Sequence, residues 1–267
     1  MDNSINIQFT SDLHLEYYDN NIDCKMWLNP SAPYLAILGD LGYHYHPNFR
    51  KFLGQVSKLY DKVFYVNGNH EYFVCKYRTL VNLEQVDKEI GAICDEFDNI
   101  YYLNNKEYFL TDEIVLLGTT LWSFIPNGKT ELVRYYFNDY IYVYTTIDNG
   151  LIFNIKDTNS TSAYLNNVKW LSEKLELYKD KKIIVMSHYL PSYGMIDKSY
   201  QSKFMNHAFA SELDYLMIKY DNIKYWLCGH THKNKEIKIN ECSCITNPRG
   251  YKKNENRGYN KEKFISI

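Results

Sequence analysis

The sequence predicts an α/β fold built on a substantially parallel sheet, and three observations carry that prediction. Short apolar runs recur and close on turn formers, helical patterns lie between them, and the composition is that of an ordinary globular protein. The 267 residues are 45% hydrophobic and 23% charged, which excludes collagen-like, disordered and coiled-coil classes. A chain of this length buries roughly three quarters of its unfolded surface, enough for one large domain or two small ones. The 30 Lys and Arg against 32 Asp and Glu leave a formal charge of −2. No basic excess is present to neutralise many phosphates, so a nucleic-acid partner stays open but is not indicated.

The elements follow in chain order. Ile5–Phe9 runs into Ser11-Asp12, Tyr34–Leu38 into Gly39-Asp40, and Val63–Val66 into Asn67-Gly68-Asn69. Later, Ile183–Met186 runs into Ser187-His188 and Tyr225–Cys228 into Gly229-His230. Each run is β-branched or aromatic and ends on a turn former, the signature of a buried strand. Helical patterns over Asn48–Tyr60, Leu80–Phe97, Thr161–Tyr178 and His207–Lys219 alternate with these runs, which argues an α/β sandwich. Beyond Asp221 the helices stop, and Glu236–Ile239, Ser243–Thr246 and Phe264–Ile267 read as strands of a second, mixed sheet.

Residues 120–160 are the least regular stretch, rich in Tyr and Phe without a clean period. A lid-like insertion is the functional reading of such a segment, and a peripheral layer of the fold the plain one. Asn138-Asp139 falls within it with no assigned role. No repeat or linker is visible, so residues 1–267 are expected to form a single domain. The N-terminus has neither a basic run nor an apolar core of a signal peptide, and no window is apolar enough to span a membrane. The six cysteines are scattered and read as reduced structural thiols of a cytoplasmic protein.

Chemistry gathers where the strands end. The five turns supply Asp12-Leu13-His14, Gly39-Asp40, Gly68-Asn69-His70-Glu71, His188 and Gly229-His230-Thr231-His232. Loops beyond the carboxyl ends of parallel strands converge on one crevice. Carboxylate, imidazole and amide oxygen gathered there suit Mn, Fe, Zn or similar ions. Each turn alone is a common sequence; the conjunction of all five, each after a strand, is not.

The pattern D-x-H … G-D … G-N-H-E … H … G-H-x-H resembles that of the calcineurin-like metallophosphoesterases, with no ligand position replaced. Further shared stretches are Thr10–Glu16, Gly68–Phe73, Leu116–Trp122, Ser187–Ser192, Ala208–Leu213, Trp226–His232 and Asn247–Tyr251. Tyr189 departs from a subgroup that often has a second histidine there. The resemblance implies a four-layer α/β/β/α sandwich with two mixed sheets and a site for two divalent ions (Mn, Fe, Zn, Ni or Co). Asp12, His14, Asp40 and His232 would hold one ion; Asp40, Asn69, His188 and His230 the other, with Asp40 bridging. A bridging hydroxide would attack phosphorus, since metals about 3.5–4 Å apart acidify the water they share.

On the same resemblance, His70 would protonate the leaving group and Glu71 would orient His70 or a neighbouring group. Arg249, in the Asn-Pro-Arg-Gly-Tyr stretch, is a candidate for binding a phosphate oxygen, beside Asn69 and His70. His44 and His46 read as solvated loop residues. The scarcity of Arg and Lys near the motifs favours a phosphodiester or nucleotide-type small substrate. A phosphomonoesterase, a nuclease of the same fold and a metal-free binding protein are the alternatives. Nothing in the sequence marks an oligomer face.

Overall fold

A computed structural model describes residues 4–74, 81–126, 133, 135–146, 152–154, 157–198 and 205–267. Cys75 and parts of the irregular 120–160 stretch lie outside the described residues. The first sheet has the order β13-β1-β2-β3-β4. Its strands are β1 (Asn6–Thr10), β2 (Tyr34–Leu38), β3 (Lys62–Val66) and β4 (Ile100–Tyr102), all parallel, with β13 (Phe264–Ser266) antiparallel to β1. The second sheet has the order β11-β12-β10-β9-β6-β5. There β6 (Ile114–Thr119), β9 (Lys182–Ser187), β10 (Ile223–Cys228) and β12 (Cys242–Thr246) run parallel. The outer strands β5 (Lys106–Phe109) and β11 (Glu236–Ile239) are antiparallel. A separate hairpin pairs β7 (Tyr144–Thr146) with β8 (Ile152–Asn154).

Strand periodicity builds the four layers. Along β2, Ala36 and Leu38 turn inward to a core shared with Phe64, Val66, Leu116, Ile184, Met186 and Leu227 of both sheets. Leu35 and Ile37 turn outward onto Phe49, Phe52, Val86 and Ile90, carried by α1 (Pro47–Val56) and α2 (Leu83–Cys94). On the second sheet Val115, Leu117, Ile183, Val185 and Trp226 face Leu171, Leu175, Leu216 and Met217. A strand covered on both faces reads as an unbroken apolar run, because period two is hidden when both sides are buried.

Among the described residues the remaining α-helices are α3 (Asp139–Tyr142), α4 (Asp157–Leu177) and α5 (Asp214–Lys219). Pro47 at the first position opens α1, and Asn82 caps α2 by accepting from the Gln85 N–H at 2.8 Å.

Three features differ from expectation. The helix over His207–Lys219 is broken into a 3-10 turn, Asn206–Ala208, and α5. Between them Leu190 N–H donates to Phe209 O and Ser211 N–H to Leu190 O, so the backbone bonds across to the loop after β9 rather than along a helix. The C-terminal strands do not form a second sheet by themselves: β11 and β12 extend the sheet of β9 and β10, and β13 crosses to β1. Finally, β4 to β8 answer to no strand expected from the sequence, and β6 is an interior strand of the second sheet, between β9 and β5.

Candidate metal centre

Turns at the ends of parallel strands are held side by side by bonds that continue the sheet ladder. Asp12 N–H donates to Gly39 O, His14 N–H to Asp40 O, and Leu15 N–H to Leu41 O, all at 2.9–3.0 Å. On the other side, Arg249 N–H donates to Ser11 O and Gly250 N–H to Asp12 O. The turns after β2 and β3 are packed so closely that a Cβ on Gly68 would overlap Asp40 Oδ1, and one on Gly39 would meet His188 Nδ1 at 2.5 Å. Asp12, His14, Asp40, His230 and His232 all have positive φ, between 49° and 72°. Such backbone costs a non-glycine residue roughly 1–3 kcal/mol and persists where the surroundings impose it, commonly at functional sites.

These turns bring seven predicted side chains together. Asp12, His14, Asp40 and His232 present ligand atoms within 4.8 Å of one another, as do Asp40, His188 and His230. Asp40 faces both groups, Oδ2 lying 3.8 Å from His14 Nε2 and Oδ1 3.5 Å from His188 Nε2. Asn69 Oδ1 lies 3.1 Å from His188 Nε2. Asp12 accepts the His230 N–H and sits 3.3 Å from His232 Nε2.

The outer nitrogens of the imidazoles identify their inner ones. His188 Nδ1 donates to Leu38 O at 2.8 Å, His230 Nε2 to Ala208 O at 3.3 Å, and His14 Nδ1 to Glu16 Oε1 at 3.3 Å. Carbonyls and carboxylates only accept, so each of these nitrogens carries the hydrogen. The inward atoms therefore converge as ligand positions: His188 Nε2 on His230 Nδ1 at 3.1 Å, and His14 Nε2 on His232 Nε2 at 3.1 Å. Neutral His188 and His230 so arranged would turn lone pairs on each other, which a cation or a proton between them relieves.

Without a metal, a proton serves. Burial opposes charge on His188, but Asp40 outweighs it and raises the imidazole to about 10. Burial and that neighbouring charge hold His230 down to about 3. The donor set of carboxylate oxygen, amide oxygen and imidazole nitrogen fits divalent transition ions.

His70 does not point into either group. Its Nδ1 donates to Glu16 Oε1 at 2.9 Å and its Nε2 meets the Tyr251 hydroxyl at 3.2 Å. Burial works against charge on His70, yet Asp40 and Glu16 raise it to about 9. Burial likewise opposes charge on Glu16, but its bonds to His14 and His70 hold it down to about 2.

The carboxylate facing His70 is thus Glu16, which sequence reasoning overlooked, and not Glu71. Glu71 Oε2 accepts from the N–H groups of Asp40 and Gly68, and Oε1 from those of Leu41 and Gly42. It ties the turn of β2 to that of β3. Burial and the Asp40 charge raise it to about 7.

A cavity of about 540 Å³ opens over Asp40, Asn69, His70, His230 and His232, lined also by Phe73, Phe137, Phe209, Tyr251, Lys233 and Arg257. Arg249 is not brought there: its guanidinium is paired with Glu255, and its contribution to the site is the backbone bond to Ser11. His44 is buried rather than solvated, between Glu71 O and Glu89, and His46 caps α1. Tyr251 and Asp139 also went unassigned in the sequence. Tyr251 belongs to the Asn-Pro-Arg-Gly-Tyr stretch already singled out; Asp139 had no signal beyond its neighbour Asn138.

Residues 5–234 match the profile of the calcineurin-like phosphoesterases. The chain belongs to that family. It is a metal-dependent hydrolase of phosphoric esters, with buried Asp and His groups in place to bind divalent ions. An uncharacterised protein of Acanthamoeba polyphaga mimivirus is 32% identical, over 98% of this chain and 96% of that one. Among solved structures, the phosphopantetheinyl hydrolase of Mycobacterium tuberculosis superposes with a TM-score of 0.75 at 16% identity, covering 99% of this phosphoesterase and 96% of that chain. A putative 5'-nucleotidase of Staphylococcus aureus gives a TM-score of 0.50 at 12% identity, over 91% of this chain and 48% of that one. Among the described residues, no helix is long and apolar enough to cross a membrane.

Proposed function

We propose that this phosphoesterase is dinuclear and hydrolyses a small phosphodiester or nucleotide-type ester. The observation that carries the reading is Asp40, whose two oxygens face two separate groups of inward-directed ligand atoms. Asp12, His14, Asp40 and His232 would hold one ion, and Asp40, Asn69, His188 and His230 the other. When bound, such ions supply Lewis acidity that turns water into a nucleophile and neutralises charge on the phosphoryl oxygens. Asn69 contributes a neutral oxygen, which leaves the site less repulsive to phosphate than another carboxylate would.

The chain's own residues handle the leaving group. His70, charged and fixed by Glu16, gives its Nε2 proton to the ester oxygen as the P–O bond breaks, a role worth roughly 10²–10⁴-fold. Tyr251, in contact with the same nitrogen, flanks that position. Phe73, Phe137 and Phe209 give the cavity an aromatic wall, while Lys233, next to His232 in the chain, and Arg257 supply positive charge. This combination suits a substrate with a bulky arm on the phosphate. The likeness to a phosphopantetheinyl hydrolase and to a putative 5'-nucleotidase supports the same substrate range.

The test is hydrolysis of bis-p-nitrophenyl phosphate beside p-nitrophenyl phosphate with Mn, Ni, Zn and Fe added in turn. Metal-dependent turnover that favours the diester and disappears in Asp40→Asn is expected. Turnover that persists with chelator, or that favours the monoester, contradicts the corresponding part of the reading.

A further inference from the structure

Asp139 is buried, at 8% exposure, and it comes from α3, outside both sheets and outside every recognised motif. Its Oδ1 accepts from Asn69 Nδ2 at 2.7 Å. Its Oδ2 accepts from the Tyr189 hydroxyl at 3.2 Å. An asparagine amide has two ends of nearly equal size, and only its partners decide which end faces which way. The Asp139 oxygen that faces Asn69 takes the NH₂ end of the amide for itself and leaves Asn69 Oδ1 turned to His188 Nε2 and the Asp40 group.

Tyr189 completes the arrangement. It is 1% exposed, its ring lies 4.2 Å from that of His230, and its hydroxyl fixes the carboxylate plane of Asp139. The residue that departs from the related subgroup thus pairs with an acid from the irregular segment. That segment is also docked beside Asn69 by independent contacts: Val74 N–H donates to Tyr142 O at 2.8 Å, and the Phe73 and Tyr142 rings are 5.5 Å apart.

We propose that Asp139, held by Tyr189, is a positioning residue that orients Asn69 for one of the two metal ions. The proposal rests on the dinuclear reading above, and its consequence is selective. Loss of Asp139 frees the Asn69 amide to rotate and present NH₂ to the ion, weakening the site of Asn69, His188 and His230. The site of Asp12, His14 and His232 keeps all its ligands and their supports.

The experiment is titration of chelator-treated, metal-free protein with Mn²⁺, followed by calorimetry and by elemental analysis of the dialysed product. Wild type, Asp139→Ala, Asp139→Asn, Tyr189→Phe and Asn69→Ala are compared, with Asp139→Ala also placed in the Asn69→Ala background. Asp139→Ala is expected to weaken one of two equivalents by about 10–100-fold, the usual effect of removing a group that supports a ligand. Asp139→Asn can still accept from Asn69 with its amide oxygen and is expected to recover most of that loss. In the Asn69→Ala background Asp139→Ala is expected to cause no further loss.

Two full-affinity equivalents in Asp139→Ala overturn the proposal, as does an equal loss with and without Asn69. If Asp139→Ala does not fold, Asp139→Asn and Tyr189→Phe carry the comparison, and wild-type affinity in Tyr189→Phe together with a full loss in Asp139→Asn contradicts the positioning role. Fewer than two equivalents in the wild type would instead indict the dinuclear reading itself, and the proposal with it.

Discussion

At the scale of residues, two carboxylates with similar surroundings do different work because of what they face. Glu16 has two imidazoles on one oxygen, whereas Glu71 has four backbone N–H groups. Glu16→Gln keeps the shape but removes the charge that helps hold the His70 proton. The alkaline fall of the pH–rate profile is therefore expected to move toward neutral pH, and an unmoved limb would separate Glu16 from proton donation. His70→Ala, assayed on esters of graded leaving-group pKa, is expected to lose most on the poorest leaving groups. Equal losses across the series would rule out the acid role.

The metal-free protein carries its own pH signature. His188 and His70 are raised from 6.5 to about 10 and about 9. Their charge stabilises the fold fully below pH 6.5, and that contribution is lost as pH rises through those values. Melting temperature in chelator is expected to fall between pH 7 and 10, and metal binding at pH 7 to release protons, seen as a buffer-dependent heat. A flat melting profile would contradict the assignment.

At the scale of elements, the site is a set of turns that parallel strands hold in register. Gly68 faces Asp40 with no room for a Cβ, so Gly68→Ala is expected to cost roughly 3 kcal/mol, a melting drop of about 6–12 °C, and to lose metal binding. A near-wild-type melt and metal content would mean that the turns are looser than described. The strands that end in ligands were legible because both their faces are buried and each stops on Gly, Asn, Asp or Ser. By contrast, β5 is short and only half-buried, and β6 continues into Thr119 and Thr120 without a ligand to mark its end. The break before α5 was hidden, since bonds from Phe209–Leu213 to Leu190 and Pro191 are a tertiary effect that local pattern does not carry. The metal ligands were legible as a spaced pattern. Glu16 and Tyr251 lay inside recognised stretches, but their partner His70 is distant in the chain, so no spacing marked their contact with it; Asp139 supports Asn69 from 70 residues away and left no pattern at all.

At the scale of the whole molecule, a net charge of −2 and a bounded cavity favour a small ester over a polynucleotide. Cleavage of bis-p-nitrophenyl phosphate is expected to change little between low and moderate salt, whereas a nuclease gripping many phosphates would lose activity steeply. Binding to the folded state alone also stabilises by mass action, about 2.7 kcal/mol for each site at a hundredfold excess over its Kd. The two sheets meet at that centre, so saturating Mn²⁺ is expected to raise the melting temperature of wild type and to raise it less in Asp40→Asn. The most direct measurement is the number of divalent ions held per chain, by elemental analysis of wild-type protein loaded with Mn²⁺ and dialysed. The account predicts two in the wild type and a loss of both on Asp40→Asn, because Asp40 serves both groups. A single ion, or two ions that survive the substitution, would contradict it.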